Sequence, residues 1–303
     1  MMIRIVGTIL AGLLGLAFGS FLNVCLSRWP EGESVVKPRS HCRNCGRTLA
    51  WWENIPLVSW TALRGRCRTC KTKISWRYPL VELFIGTLWS WEAWHTIPSD
   101  FLTSVPAGVF HFQLYLGLSR MFFFWILVAL AVLDLEHLWL PDFLTWPAII
   151  MGVILNSFNL IVVVNLQKST EVPISDMIGN IGPTSLTGVF AAPVAAAAVV
   201  LFIRWMYRLV RKREGIGLGD AKLMAMLGAW LGLSGALLSF ALGIMLGAAF
   251  AMVLLAVPES RRGSDTWLLS KLPLGTFLCV GGIVSALWGQ PLIAAYLRFV
   301  GVR

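Results

Sequence analysis

The sequence predicts an all-α polytopic membrane protein with about eight transmembrane helices and a small cytoplasmic zinc-binding domain between helices 1 and 2. Three observations carry that expectation. Of 303 residues, 57% are hydrophobic and 13% charged, whereas a soluble domain has about 45–50% and about 25%. The apolar residues gather into runs that match the ~20-residue helix a bilayer core requires. One polar stretch, residues 27–77, interrupts these runs early and carries two Cys-x-x-Cys pairs.

The first run, Ile3 to Leu26, is too long for a signal-peptide core and lacks a small-residue cleavage site, so it reads as a retained helix. Residues 1–26 therefore form the first span and residues 27–77 a loop domain. Tyr78 to about His95 returns through the membrane, with Glu82 as a buried-acid candidate near its cytoplasmic end. Residues 96–117 read as an outside loop, with an interfacial helix inside it as the alternative. Ser119 to Leu133 is the next run, and Pro141 opens another that reaches about Leu166, since proline is tolerated in a first helical turn. After an outside connection, 167–184, come Ser185 to about Tyr207, Ala221 to about Leu238, Ser239 to Val257, and Leu272 to about Leu297. The break near Leu233-Ser234-Gly235 is the weakest division in the run.

Charge placement orients these spans. The net charge is +10, yet 11 of the 25 lysines and arginines lie between Arg28 and Arg77, against only Glu31, Glu33 and Glu53. Basic residues cluster again at Arg204, Arg208, Arg211, Lys212 and Arg213, and at Arg261 and Arg262. Each cluster falls where the alternation of spans needs a cytoplasmic loop, which is the positive-inside bias and not a nucleic-acid surface. Many of the 15 tryptophans lie near helix ends, as interface anchors do.

The same alternation places two acids at similar depth. Asp134 closes one apolar run, and Asp220 opens another after Gly217-Leu218-Gly219. Acids at membrane depth are expensive and need a reason. Two carboxylates sharing one proton can activate water and stabilise an oxyanion, the chemistry of an aspartyl protease. Gly215, Gly217 and Gly219 would permit an unusual turn beside Asp220. The structural alternative is that each acid caps a helix or pairs with an arginine at headgroup level. Glu136 and His137 read as interfacial polar residues, and Asp142 as a stabiliser of the first turn after Pro141.

Cys42-x-x-Cys45 and Cys67-x-x-Cys70 have metal-ligand spacing, with 21 residues between the pairs. In a cytoplasmic loop such pairs favour a metal over disulfides. Four thiolates suit structural zinc in a tetrahedral site with no open position. A redox dithiol is the alternative, and His41 beside them reads as a surface residue.

Together these motifs resemble the bacterial type IV prepilin peptidases and their type II secretion counterparts. The resemblance rests on Phe18-Gly19-Ser20-Phe21-Leu22-Asn23-Val24, on Pro38-x-Ser40-x-Cys42-x-x-Cys45, and on Asn54-Ile55-Pro56-Leu57-Val58-Ser59-Trp60. It continues through Arg64-Gly65-Arg66-Cys67-x-x-Cys70 and Tyr78-Pro79-Leu80-Val81-Glu82, then Asp134 with Leu140-Pro141-Asp142, and Gly217-x-Gly219-Asp220-x-Lys222-Leu223. Ile216 stands where the family often has methionine.

The resemblance implies that residues 78–303 form the helical core of an intramembrane aspartyl protease, with Asp134 and Asp220 catalytic and Cys42, Cys45, Cys67 and Cys70 binding zinc. It implies prepilin or pseudopilin substrates, each with a short basic leader before an apolar helix, cut on the cytoplasmic side of the bacterial inner membrane. It also implies N-methylation of the new N-terminus from S-adenosylmethionine, although no glycine-rich cofactor fingerprint is present and the cofactor-binding residues are not assigned. The competing readings are a Gly-x-Gly-Asp protease acting on other membrane substrates, a proton-coupled transporter whose acids carry protons, and a non-catalytic assembly subunit.

Overall fold

The computed structural model describes residues 1–98, 107–169, 185–212, 217–256 and 272–301. Among these described residues there are eight α-helices: α1 (Met2–Arg28), the short α2 (Val58–Ala62), α3 (Arg77–Thr96), α4 (Ala107–His137), α5 (Asp142–Ser169), α6 (Leu186–Arg211), α7 (Leu218–Ala256) and α8 (Leu274–Val300). Among the described residues there is no strand, only two isolated bridges in the cysteine-bearing segment. Hydrocarbon offers no water to satisfy a peptide group, so apolar runs close their own hydrogen bonds as helices.

The architecture is an all-α multi-pass membrane protein. Six described helices (α1 and α4 to α8) are long and apolar enough to cross a bilayer. The expected count of about eight differs by two, and both differences have a location. α3 carries Glu82, Glu92 and Arg77 and is less apolar than its neighbours. α7 is one run of 39 residues, interrupted at Gly232 (φ 71°, ψ 177°). Only glycine adopts that backbone conformation cheaply, so the division falls at Gly232, next to the break expected around Leu233-Ser234-Gly235 and ahead of the span boundary drawn at Leu238–Ser239.

Two further boundaries depart from expectation. The stretch 107–117, expected within an outside loop or as an interfacial helix, is continuous with α4, and its Phe112 is buried while Gly117 rests against Thr96. Pro141 lies just outside α5, and its carbonyl accepts the N–H groups of Leu144 and Thr145 at 3.1 and 3.0 Å. The expected loops at 99–106, 170–184 and 257–271, with Arg261 and Arg262, lie outside the described residues, as do Arg213 and Gly215.

The chain divides into two compact units, residues Met1–Ala129 and Leu130–Arg303. In the first, α1 packs along α3, burying Leu22, Leu26 and Ile85. Indole N–H groups pin α4 to both: Trp125 donates to the Phe18 carbonyl at 3.1 Å and Trp89 to that of Met121 at 2.9 Å.

In the second unit α7 is central, with α5, α6 and α8 packed on it and Leu223, Met224, Met226 and Leu227 fully buried. Close approach is built from small residues, as interfaces in lipid require. A Cβ on Gly228 would lie 2.6 Å from the Ala192 carbonyl oxygen of α6. Large apolar side chains such as Val194, Phe202 and Met245 face outward, the pattern expected when the solvent is lipid.

Candidate active site and metal centre

Asp134 and Asp220 both belong to the second unit and both are buried. Asp134 sits in the last turn of α4. The turn after it is closed by Leu138, at φ 50°, whose N–H donates to the Asp134 carbonyl at 2.9 Å. Asp220 lies in the first turn of α7, and its Oδ2 accepts the Gly217 N–H at 3.2 Å. That contact is the helix-start role open to it from sequence, and it commits one oxygen.

Tertiary structure adds a second relationship: both acids gather around Leu140, since a Cβ on Gly219, next to Asp220, would lie 3.2 Å from Leu140 Cδ1 and one on Gly275, against the Asp134 carboxylate, 3.1 Å from the same atom. The start of α8 frames them. Asp134 Oδ2 accepts the Thr276 N–H at 2.7 Å and lies 3.2 Å from Thr276 Oγ1, whose hydroxyl also reaches the Ala131 carbonyl at 2.9 Å. A Cβ on Gly275 would stand 2.9 Å from Asp134 Oδ2 and 3.1 Å from Leu140 Cδ1. One turn further along α8, Cys279 is fully buried. The arrangement holds two acids together in a dry setting with fixed donors on one of them, which is what shared-proton chemistry requires.

Gly275, Thr276 and Cys279 escape a reading of the sequence. The local signal, Pro273-Leu274-Gly275-Thr276, announces a helix start, but nothing in it points to a partner 142 residues away. Asp142 opens α5 and pairs with Lys222 of α7, fastening the beginnings of the two helices. Glu136 and His137 face each other on the exposed end of α4, 3.9 Å apart, away from buried surroundings.

The four cysteines belong to the first unit and form one cluster, every Sγ within 4.8 Å of the others. Two matching knuckles build it. Cys42 N–H donates to Arg47 O at 2.9 Å and Cys67 N–H to Thr72 O at 2.9 Å, and the bridges His41–Thr48 and Arg66–Lys73 follow at the same offset. Gly46 and Lys71 take the same left-handed conformation after each second cysteine, at φ 69° and 58°.

Asn44 of one knuckle donates to Thr72 of the other at 2.8 Å. The Thr72 hydroxyl and N–H, with Asn44, push the Cys70 thiol down to about 5, and N–H groups of Cys70 and Thr69 lower that of Cys67. Thiolates are the form a metal takes. The Cys42–Cys70 separation of 3.7 Å matches the edge of a sulfur tetrahedron around zinc, about 3.8 Å for Zn–S of about 2.3 Å. The cluster can hold a metal ion, and His41 stands outside it, its Nδ1 on the Arg39 carbonyl at 3.1 Å.

Glu82 and Arg28 fasten this segment to the helices. Glu82 Oε2 accepts the Leu57 N–H at 2.8 Å, and the Arg28 guanidinium donates to the carbonyls of Ser34 and Pro38, both at 2.7 Å.

The profile of the Bacterial Peptidase A24 N-terminal domain matches residues 13–96, and that of the Type IV leader peptidase family matches residues 121–252. A prepilin leader peptidase/N-methyltransferase of Stutzerimonas stutzeri is 34% identical over 309 residues, covering 94% of this chain and 92% of the relative. The chain belongs to the type IV leader peptidase family. By that membership it is an aspartic peptidase of the membrane, and its relatives' names join N-methyl transfer to leader cleavage.

A Pseudomonas aeruginosa protein of the same name is 33% identical, covering 96% of this chain and 93% of its own length. One from Myxococcus xanthus is 35% identical over 274 residues, 86% of this chain and 67% of that relative. No solved structure matches the chain. The cysteine cluster falls within the residues matched by the N-terminal profile and both aspartates within those of the peptidase profile, whereas Gly275 and Thr276 lie beyond either match.

Proposed function

We propose that this leader peptidase removes the short basic leader of type IV prepilins or type II secretion pseudopilins at the cytoplasmic face of the bacterial inner membrane, and methylates the N-terminus so released. The observation that carries the reading is the convergence of Asp134 and Asp220 on Leu140, from the end of α4 and the start of α7.

In this reading the ionised member of the pair takes a proton from water as its oxygen attacks the scissile carbonyl. The protonated member hydrogen-bonds the developing oxyanion. When the intermediate collapses, the C–N bond breaks and the leaving amine takes up a proton. Residues 1–26 then serve as the first span, residues 27–77 as a cytoplasmic zinc-stapled domain, and residues 78–303 as the protease core. Zinc on Cys42, Cys45, Cys67 and Cys70 would be structural, since four thiolates leave no open position. S-adenosylmethionine would supply a methyl group on a sulfonium. A proton-coupled transporter is less well supported, because both acids lie at helix ends.

The test is incubation of purified protein with a prepilin, with and without S-adenosylmethionine, and mass spectrometry of the product's N-terminus. The expected product is the mature pilin, methylated only when the donor is present. Cleavage at the normal rate by Asp220→Asn protein would sink the peptidase mechanism. The purified protein should also contain about one zinc, lost when Cys42 and Cys67 are both replaced.

A further inference from the structure

The connection from α4 to α5, residues 138–141, is held at both ends. At its start the Leu138 N–H donates to the Asp134 carbonyl at 2.9 Å, with Leu138 itself at φ 50°. At its end the Pro141 carbonyl accepts the N–H groups of Leu144 and Thr145, and the hydroxyl of fully buried Thr145 at 3.2 Å. Just beyond, Asp142 pairs with Lys222, two residues past Asp220. A backbone fixed on both sides holds Leu140, which lies between, against its neighbours.

Those neighbours are two glycines beside the acids. A Cβ on Gly219 would lie 3.2 Å from Leu140 Cδ1 and 3.4 Å from Leu140 Cβ, and one on Gly275 would lie 3.1 Å from the same Cδ1. Gly219 precedes Asp220 in α7, and Gly275 abuts the Asp134 carboxylate from α8. One aliphatic side chain therefore rests on the backbone that carries one acid and on the backbone that walls the other.

We propose that Leu140 is a positioning residue for the acid pair, its side chain being the spacer that sets the distance between the start of α7 at Asp220 and the start of α8 against Asp134. Leu140 offers no group that could take or give a proton, so its part is geometric. A misplacement of ~1 Å at a reacting group costs about 100-fold in rate. The proposal rests on the two-aspartate cleavage proposed above.

Steady-state cleavage of a prepilin by full-length, membrane-inserted protein tests it, with melting temperature and zinc content read on the same samples. Leu140→Ala removes every carbon beyond Cβ and should lower kcat about 10- to 100-fold, with KM held within about twofold. Leu140→Met keeps the volume and should retain kcat within about threefold. Gly219→Ala alone drives a methyl against Leu140 Cδ1 and should lower kcat about tenfold. In the Leu140→Ala background the same methyl meets only the remaining Cβ, at 3.4 Å, and refills part of the space, so the double variant should cleave faster than Leu140→Ala alone. Should Leu140→Ala fail to insert, Leu140→Val, one carbon shorter, should show the same split in smaller degree, and wild-type kcat in it would overturn the spacer. Wild-type kcat in Leu140→Ala, a change confined to KM, or losses that multiply in the double variant would overturn it equally, while the acid pair stood. Normal cleavage by Asp220→Asn would remove the pair itself, and with it the reading on which the spacer rests.

Discussion

Thr276 donates its backbone N–H to Asp134 Oδ2 at 2.7 Å and brings its hydroxyl within 3.2 Å of the same oxygen. One residue of α8 thus fixes the carboxylate at the end of α4. The N–H belongs to the backbone and survives substitution, whereas the hydroxyl does not. Thr276→Val should therefore slow leader cleavage about tenfold, the equivalent of about 1.4 kcal/mol. Thr276→Ser should restore most of the rate. Equal rates for valine and threonine would show that the hydroxyl plays no part.

Gly275 leaves no room for a side chain. A Cβ there would lie 2.9 Å from Asp134 Oδ2 and 3.0 Å from its Cγ, and neither the carboxylate nor Leu140 can retreat without disturbing the pair. Gly275→Ala should cut the cleavage rate by about 100-fold, the scale of a displacement of ~1 Å at a reacting group. A steady-state assay on folded, membrane-inserted variant checks this, and wild-type kcat would refute it.

The carboxylates act as a unit if they share a proton. Asp134→Asn and Asp220→Asn should each abolish most cleavage, and the double variant should be about as impaired as either alone. Losses that multiply would mean the two acids contribute independently.

Glu53 provides a pH test outside the helices. The hydrogen bond from Arg47, aided by the Ala50 N–H, holds its carboxyl below the ordinary carboxylate range. A folded-state pKa below the unfolded value, about 4.3, adds stability that is fully present above that value. The contribution fades as the pH falls through the folded-state pKa. Glu53→Gln should accordingly lower the melting temperature near pH 7, and the gap to wild type should close below about pH 4. A gap independent of pH would remove the ion pair as its cause.

Local patterns made much of the molecule legible. A Cys-x-x-Cys knuckle closes within a few residues, so the spacing of Cys42, Cys45, Cys67 and Cys70 foretold a cluster that the fold assembles. Asp142 beside Pro141 foretold the start of α5, though not its pairing with Lys222. Pro98, Asp100 and Pro106 give 96–117 the look of an outside loop or interfacial helix, whereas from Ala107 onward the residues join α4, with Phe112 and Gly117 buried.

By itself the sequence determined that the chain is helical and spans a membrane, because long apolar runs in lipid have no other way to satisfy their peptide groups. It also set the two knuckles and put Asp134 and Asp220 at helix ends. Only the tertiary structure decided that these two acids gather around Leu140 and that Gly275 and Thr276 enclose one of them. Those contacts join residues far apart in the chain through helix packing, and periodicity along one helix carries no record of which residue on another helix will face it.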